Sequence, residues 1–277
     1  NGRYEFHDGN LSADSEYIGY SGEGRFIQYG GIHEVNSTEP NYGDLYIGYT
    51  SDGNGTYELR GGQLFAENEY IGYDGSGSGH FIHTGGDNLI EKDMYIGFKA
   101  GSHGEYIYDC AVTSNLMGGF ACTTIIGYEG TGEFRHYGGT HIVRGALILG
   151  REPGSVGIYE ISDDILQVEG NLEVGRYGIG ELEITGGTID IYSDGFVGFN
   201  GNGCFLHYDG NNLIQRDLHL GYNPGSYGLY VCWAVTSNLM GGFAVKCTTI
   251  GHYGTGVFEH YNGTHTVRGN LKVGAEY

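Results

Sequence analysis

Four histidines occupy one fixed place in the sequence: His83, His136, His207 and His260 each follow a phenylalanine by two residues, and Gln28 stands at the equivalent place after Phe26. Imidazoles in series could ligate a metal or carry protons. Successive members of this series fall in alternate repeats or farther apart, so strand spacing alone separates them by about 9.6 Å. That is too far to share an ion whose bonds to nitrogen are about 2.0 Å long. Only His136 with His141, and His260 with His265, could approach across a corner, and the series reads as an exposed polar column at a turn.

The five cysteines suggest an oxidising compartment. Cys110 and Cys122 bracket the segment AVTSNLMGGFA, and Cys232 and Cys247 bracket its second copy. A disulfide clamping each protruding loop is the expected chemistry, with buried reduced thiols as the alternative. No C-x-x-C pair supports zinc, and Cys204 is left over beside the core. Asn10, Asn36, Asn54 and Asn262 fit the N-x-[S/T] acceptor pattern for glycosylation.

Catalysis on polysaccharides would need carboxylates clustered with Lys or Arg in a groove. Asp163 and Asp164 merely replace a Gly-Gly corner, while Asp190 and Asp194 fall on separate segments. Neither an enzyme nor a cofactor is expected. The nonapeptides of a calcium β-roll are missing. Thr123-Thr124 and Thr248-Thr249 are isolated, unlike the regular threonine column that ice binding would want.

The elements that must position these residues are short and numerous. Of 277 residues, 55 are Gly, 25 are Tyr and only 3 are Pro, without a collagen period. Glycine at this frequency, alongside 39% hydrophobic residues, means many tight turns between many short strands. The formal charge of -21 counts against nucleic acid and anionic membranes as partners. No apolar run approaches the length of a spanning helix. No signal peptide is visible, so the expectation is a mature form or a piece of something longer.

A repeat fills the chain. The phrase YIGY or a variant recurs with its glycine at Gly19, Gly48, Gly72, Gly97, Gly127, Gly150, Gly175, Gly198, Gly221, Gly251 and Gly274. The spacing of about 25 residues suits one coil of a parallel β-solenoid, which needs neighbours above and below to bury its apolar face. A second landmark ends each G-x-aromatic phrase: Tyr4, Phe26, Tyr57, Phe81, Tyr106, Phe134, Tyr159, Leu182, Phe205, Tyr230 and Phe258. Tyr and Phe alternate except at Leu182, and stacking in register would make them an aromatic ladder with a rise of about 4.8 Å. The preceding glycine, as in Gly24, Gly55 and Gly79, is expected to supply a positive φ or a tight corner. Gly-Gly pairs such as Gly61–Gly62 mark a second corner.

The predicted fold is therefore all-β, a single continuous parallel β-solenoid over 1–277 with about eleven coils and uncapped ends. Residues 101–150 match 225–274, which implies a duplication of five coils. The closing LKVGAEY followed by the opening NGRYEFHDGNL would write a normal coil, and Phe258 would be followed by Tyr4. The expected partner is thus the chain itself, docked head to tail.

Phrases such as DLYIGYTSDGNGTYELRGGQL (Asp44 to Leu64) and EYIGYDGSGSGHFIHTGGDNLI (Glu69 to Ile90) resemble the Gly-rich repeats of autotransporter passengers and PEP-CTERM-type exported bacterial proteins. The resemblance implies export, a β-solenoid and a role at the cell surface or in the extracellular matrix. The functional expectation is a structural extracellular protein, a segment or subunit of a head-to-tail fibre or surface stalk. A binding module that presents loops or Tyr-rich faces to glycans or surfaces is the alternative.

Overall fold

The computed structural model describes residues 1–36, 43–110, 122–233 and 247–274, and the backbone alone of Asn115–Gly118 and Asn238–Gly241. Glycine corners cut the chain into strands of three to eight residues. The strands form three parallel sheets of eleven strands each, and the chain visits the sheets in turn, so every circuit adds one coil. The first sheet runs from Gly2–Phe6 to Thr255–His260, the second from Asn10–Ala13 to Thr264–Thr266, and the third from Glu16–Ile18 to Leu271–Val273. Coils are numbered 1 to 11 along the first sheet.

Register is regular along the aromatic column, with one shift at the end of a strand in the first sheet, where Tyr108 pairs with His136 but Asp109 with Gly138. Tyr4 pairs with Phe26, Phe26 with Tyr57, Tyr57 with Phe81, and the series continues through Leu182 to Phe258 without a slip. On the third sheet Ile18, Ile47, Ile71, Ile96 and Ile126 pair in sequence, a column of β-branched side chains that suits a pleated, half-buried surface. Both columns point inward, and their central members are fully buried.

The YIGY glycines make the corner between the third and first sheets. Gly48 has φ 72° and its N–H donates to the carbonyl of Ile18 one coil below at 2.8 Å, so the interstrand ladder continues through the bend. A Cβ there would strike the carbonyl of Ser78 in the coil above. The glycine of the G-x-aromatic phrase has a different task from the one its regularity suggests: Gly55 and Gly79 do not take positive φ. Each lies in a strand facing the neighbouring sheet, where a Cβ on Gly55 would collide with the carbonyl of Ile18. Close approach of two sheets, and not dihedral strain, excludes a side chain there.

In the Gly-Gly pairs the second residue takes the positive φ, as at Gly31, Gly62, Gly86, Gly139 and Gly187. Asp164 stands in that column with φ 60°. The loops bracketed by cysteines fall mostly outside the described residues. Their central residues, Asn115–Gly118 and Asn238–Gly241, are strands of the second sheet and not part of a protrusion.

Candidate functional site: a buried tyrosine–histidine column

The aromatic ladder stacks face to face. Ring centroids lie 4.9 Å apart for Phe26–Tyr57, 4.6 Å for Phe81–Tyr106 and 4.7 Å for Phe134–Tyr159, with interplanar angles of 16°, 5° and 3°. Stacking explains aromatics in the column but not the alternation of Tyr with Phe. The reason lies in where the tyrosine hydroxyls go.

The expectation of an exposed histidine column holds only for His260, in the last coil; Gln28, His83, His136 and His207 are fully buried. Residues of the first sheet alternate in and out, so a residue two places after an inward Phe also points inward. There it meets the hydroxyl of the Tyr one coil above. Nδ1 of His83 lies 2.9 Å from the Tyr106 hydroxyl, Nδ1 of His136 lies 3.0 Å from that of Tyr159, and Nδ1 of His207 lies 2.9 Å from that of Tyr230. In coil 2, Oε1 of Gln28 takes the same place and accepts from Tyr57 at 2.6 Å.

A second polar group arrives from the second sheet, seven residues after the Phe. It is His33 against Tyr57 (2.9 Å), Asn88 against Tyr106 (3.3 Å), His141 against Tyr159 (3.0 Å) and Asn212 against Tyr230 (3.1 Å). Each Phe coil thus builds a two-sided polar cup, and the following Tyr coil fills it. In Tyr coils 3 and 7 the same two places are apolar, filled by Leu59 and Leu64 and by Ile161 and Leu166.

Proton counting assigns the tautomers. Nε2 of His136 lies 2.8 Å from the Gly139 carbonyl, which can only accept, so Nε2 carries the proton and Nδ1 accepts from Tyr159. Tyr159 has one proton to donate, so His141 must donate its Nδ1–H to the tyrosine oxygen. His83 and His207 donate likewise to the carbonyls of Gly86 and Gly210, and the amides of Asn88 and Asn212 complete the tyrosine oxygens. Around Tyr57, the Nδ1–H of His33 is spent on the tyrosine, which leaves its Nε2 facing Oε2 of Glu16 at 2.7 Å.

Burial keeps the column neutral. It holds His83 and His136 down at about 4 and His141 well below the ordinary imidazole range, and it lowers His207 as well. The same cause pushes the hydroxyls of Tyr57, Tyr106, Tyr159 and Tyr230 up. Glu69, facing Asn88 at 3.1 Å, is pushed up to about 8 by burial, against the lowering effect of the Asn88 amide, and so is largely protonated at neutral pH. These groups are sealed between coils, so they can hold a proton or a hydrogen bond but cannot reach a substrate without parting the ladder.

The outer face of the third sheet carries a second aromatic array. Tyr17, Tyr46, Tyr70 and Tyr95 stack at 4.9 Å, and beside them run Tyr20, Tyr49, Tyr73, Phe98 and Tyr128 at 4.8–5.1 Å. The two files meet edge to face, as Tyr46 does with Tyr49 at 78°. Arg151 closes the second file over Tyr128, 4.5 Å from the ring centroid.

The remaining expected residues are spread along the rod. Asn10, Asn36, Asn54 and Asn262 are all exposed. The sulfur of Cys110 lies 3.4 Å from the carbonyl oxygen of His83, and that of Cys232 lies 3.4 Å from the carbonyl oxygen of Asn262. Burial pushes the Cys204 thiol up to about 11. Asp164 accepts from the Gly139 N–H (2.7 Å), Asp190 from Gln215 (3.0 Å) and Asp194 from the Asp217 N–H (3.0 Å), so these carboxylates tie adjacent coils together. Among the described residues no three of His, Cys, Asp or Glu converge on a point that could hold a metal. Comparison of the chain with protein-family models, with curated proteins and with solved structures finds no match.

Proposed function

We propose that this chain is a structural, extracellular rod, a segment or subunit of a head-to-tail β-solenoid fibre or cell-surface stalk. The observation that carries the reading is the continuity of three parallel ladders over eleven coils, each strand pairing with its equivalent in the next coil. Every interior strand is hydrogen-bonded on both sides, and side chains fill the interior. Such a body resists bending and leaves proteases few loops. At the β spacing, eleven coils span about 50 Å. The reading places the protein outside the cell, consistent with its resemblance to exported Gly-rich repeat proteins. Asn10, Asn36, Asn54 and Asn262 would carry glycans there, and the Cys110/Cys122 and Cys232/Cys247 pairs could oxidise. Electron microscopy of the native particle tests the reading. Rods with an axial repeat of about 50 Å support it, and compact dispersed particles would sink it.

The double tyrosine file favours a second reading, an adhesin-like binding face. Because ring faces are consumed by stacking, the file offers solvent only ring edges and hydroxyls, spaced 4.9 Å apart. Such a surface suits hydrogen bonding to a polymer with a matching repeat. A glycan array with no hits would remove this reading.

A further inference from the structure

Phenols crowd the outer face of the third sheet in a way the buried ladder avoids. Inside, a Phe or Leu182 stands between every two tyrosines, so successive phenols lie about 9.6 Å apart or more. Outside, Tyr46, Tyr70 and Tyr95 occupy consecutive coils in direct register. Tyr46 stacks on Tyr70 at 4.9 Å and 9°, and Tyr70 on Tyr95 at 4.9 Å and 4°. The second file adds Tyr49 and Tyr73, stacked at 4.9 Å, with Tyr73 edge-on to Tyr46 at 5.1 Å and 88°. The unbroken run of phenols ends where Tyr95 meets Ile125 in register and where Tyr73 meets Phe98.

Tyr46, Tyr70 and Tyr95 are half-buried, with solvent at the ring edges. Tyr46 donates to Oδ2 of Asp44 at 2.9 Å and Tyr95 to Oδ2 of Asp93 at 3.1 Å, each partner lying two residues back along the chain. Burial, and after it the charge of Asp44, pushes the Tyr46 phenol up, and burial does the same to Tyr70 and Tyr95. The phenols therefore keep their protons at neutral pH, and a proton departs only together with an electron.

We propose that Tyr46, Tyr70 and Tyr95 form an oxidative modification site, at which hydrogen peroxide acting through a haem peroxidase couples stacked rings into dityrosine and staples adjacent coils. The oxidant takes one electron from each of two stacked rings. Each phenol gives up its proton, Tyr46 to the Asp44 carboxylate and Tyr95 to that of Asp93. The unpaired electron of a phenoxyl radical is shared with the carbons ortho to the oxygen, which lie on the solvent-facing edge beside the hydroxyl. An ortho carbon of one ring bonds to an ortho carbon of the next across the stack. The hydrogen on each of those carbons then moves to the oxygen of its own ring, restoring both phenols. The pair has lost two electrons and two protons, which convert one peroxide into two waters. The coupling lies within one chain and holds whether or not rods assemble.

The test treats the full 277-residue chain, dilute, with hydrogen peroxide and a haem peroxidase. Dityrosine fluorescence is read on the monomer band of a denaturing gel, and mass spectrometry of its peptides locates the links. Links should join Tyr46 to Tyr70 and Tyr70 to Tyr95. Tyr177 and Tyr192 are the internal control, being 48% and 42% exposed with no aromatic ring against them among the described residues. Tyr70→Phe keeps the ring and removes the phenol, as Phe196 does in the same column, and circular dichroism checks its fold. Both links should be lost in that variant. No link from Tyr46 to Tyr95 should replace them, because two coils separate those rings by about 9.6 Å. A Tyr46–Tyr95 link in Tyr70→Phe would overturn the proposal, as would links made chiefly at Tyr177 or Tyr192. Wild-type monomer without dityrosine, under conditions that couple free tyrosine, would overturn it too.

Discussion

Replacing Tyr159 with Phe removes one oxygen and leaves the aromatic stack intact, so it isolates the hydrogen bonds from the packing. Tyr159 is fully buried, and its hydroxyl meets Nδ1 of His136 and Nδ1 of His141, each at 3.0 Å. The substitution strands one acceptor and one donor in a space without exposure. An unsatisfied buried group costs about 1–3 kcal/mol, so the expected loss is about 2–5 kcal/mol. Guanidinium unfolding measures it, and hydrogen exchange should place the weakening at coils 6 and 7, because solenoid stability is a sum of neighbour terms. Coils 3 and 7 carry Leu or Ile at both cup positions (Leu59 and Leu64, Ile161 and Leu166), which supplies the control. Adding His136→Leu and His141→Leu to Tyr159→Phe should restore at least half the loss, since replacing all partners by apolar groups approaches neutrality. A loss below about 0.5 kcal/mol for the single variant, or strictly additive losses in the triple variant, would refute the cup as an energetic unit.

Acid should loosen the rod. His83 and His136 are held at about 4 against 6.5 when exposed, so their contribution is complete above pH 6.5 and is lost as pH falls toward 4, by roughly 3 kcal/mol each. Tm against pH should therefore fall through that window. His136→Gln, which copies Gln28, should flatten the fall while changing neutral stability by less than about 1 kcal/mol. Glu69 has the opposite sign: its folded value of about 8 against 4.5 makes its contribution complete below pH 4.5 and lost as pH rises through 8. Glu69→Gln should thus stabilise by up to roughly 4 kcal/mol at pH 8 and change little at pH 4.5, read by unfolding at the two pH values. Leu182 lies above a coil with no polar cup, so Leu182→Tyr should be less stable than Leu182→Phe by about 1–3 kcal/mol in the same assay, and equal stabilities would contradict the pairing rule. Gly104→Ala drives a methyl into the Ile71 carbonyl and should lower Tm sharply; an unchanged Tm would contradict the close approach of the first and third sheets.

Much of the architecture was legible because a solenoid repeats its instructions. Tyr4, Phe26, Tyr57 and their successors recur at coil spacing, and parallel stacking converts equal sequence phase into equal position. Strand number, register and the aromatic column all follow from that conversion. The histidine cup was written in the same text, yet it was read as surface. The missed signal is that His or Gln stands two residues after the ladder position only in Phe coils, and His or Asn seven residues after it, always one coil before a Tyr where such a coil follows. A polar side chain in a strand ordinarily implies the solvent face, and only coordinates show that a hydroxyl waits one layer above.

The glycines divide in the same way. Their places were set by the sequence, but a glycine needed for positive φ, such as Gly48, and one needed for lack of a Cβ, such as Gly55, look alike as letters. The sequence by itself therefore determined the periodic architecture, because phase is a property of one chain read along its length. Only the tertiary structure decided which way each column faces and what it touches, because those contacts lie between residues about 25 apart and depend on how closely two sheets meet at a corner.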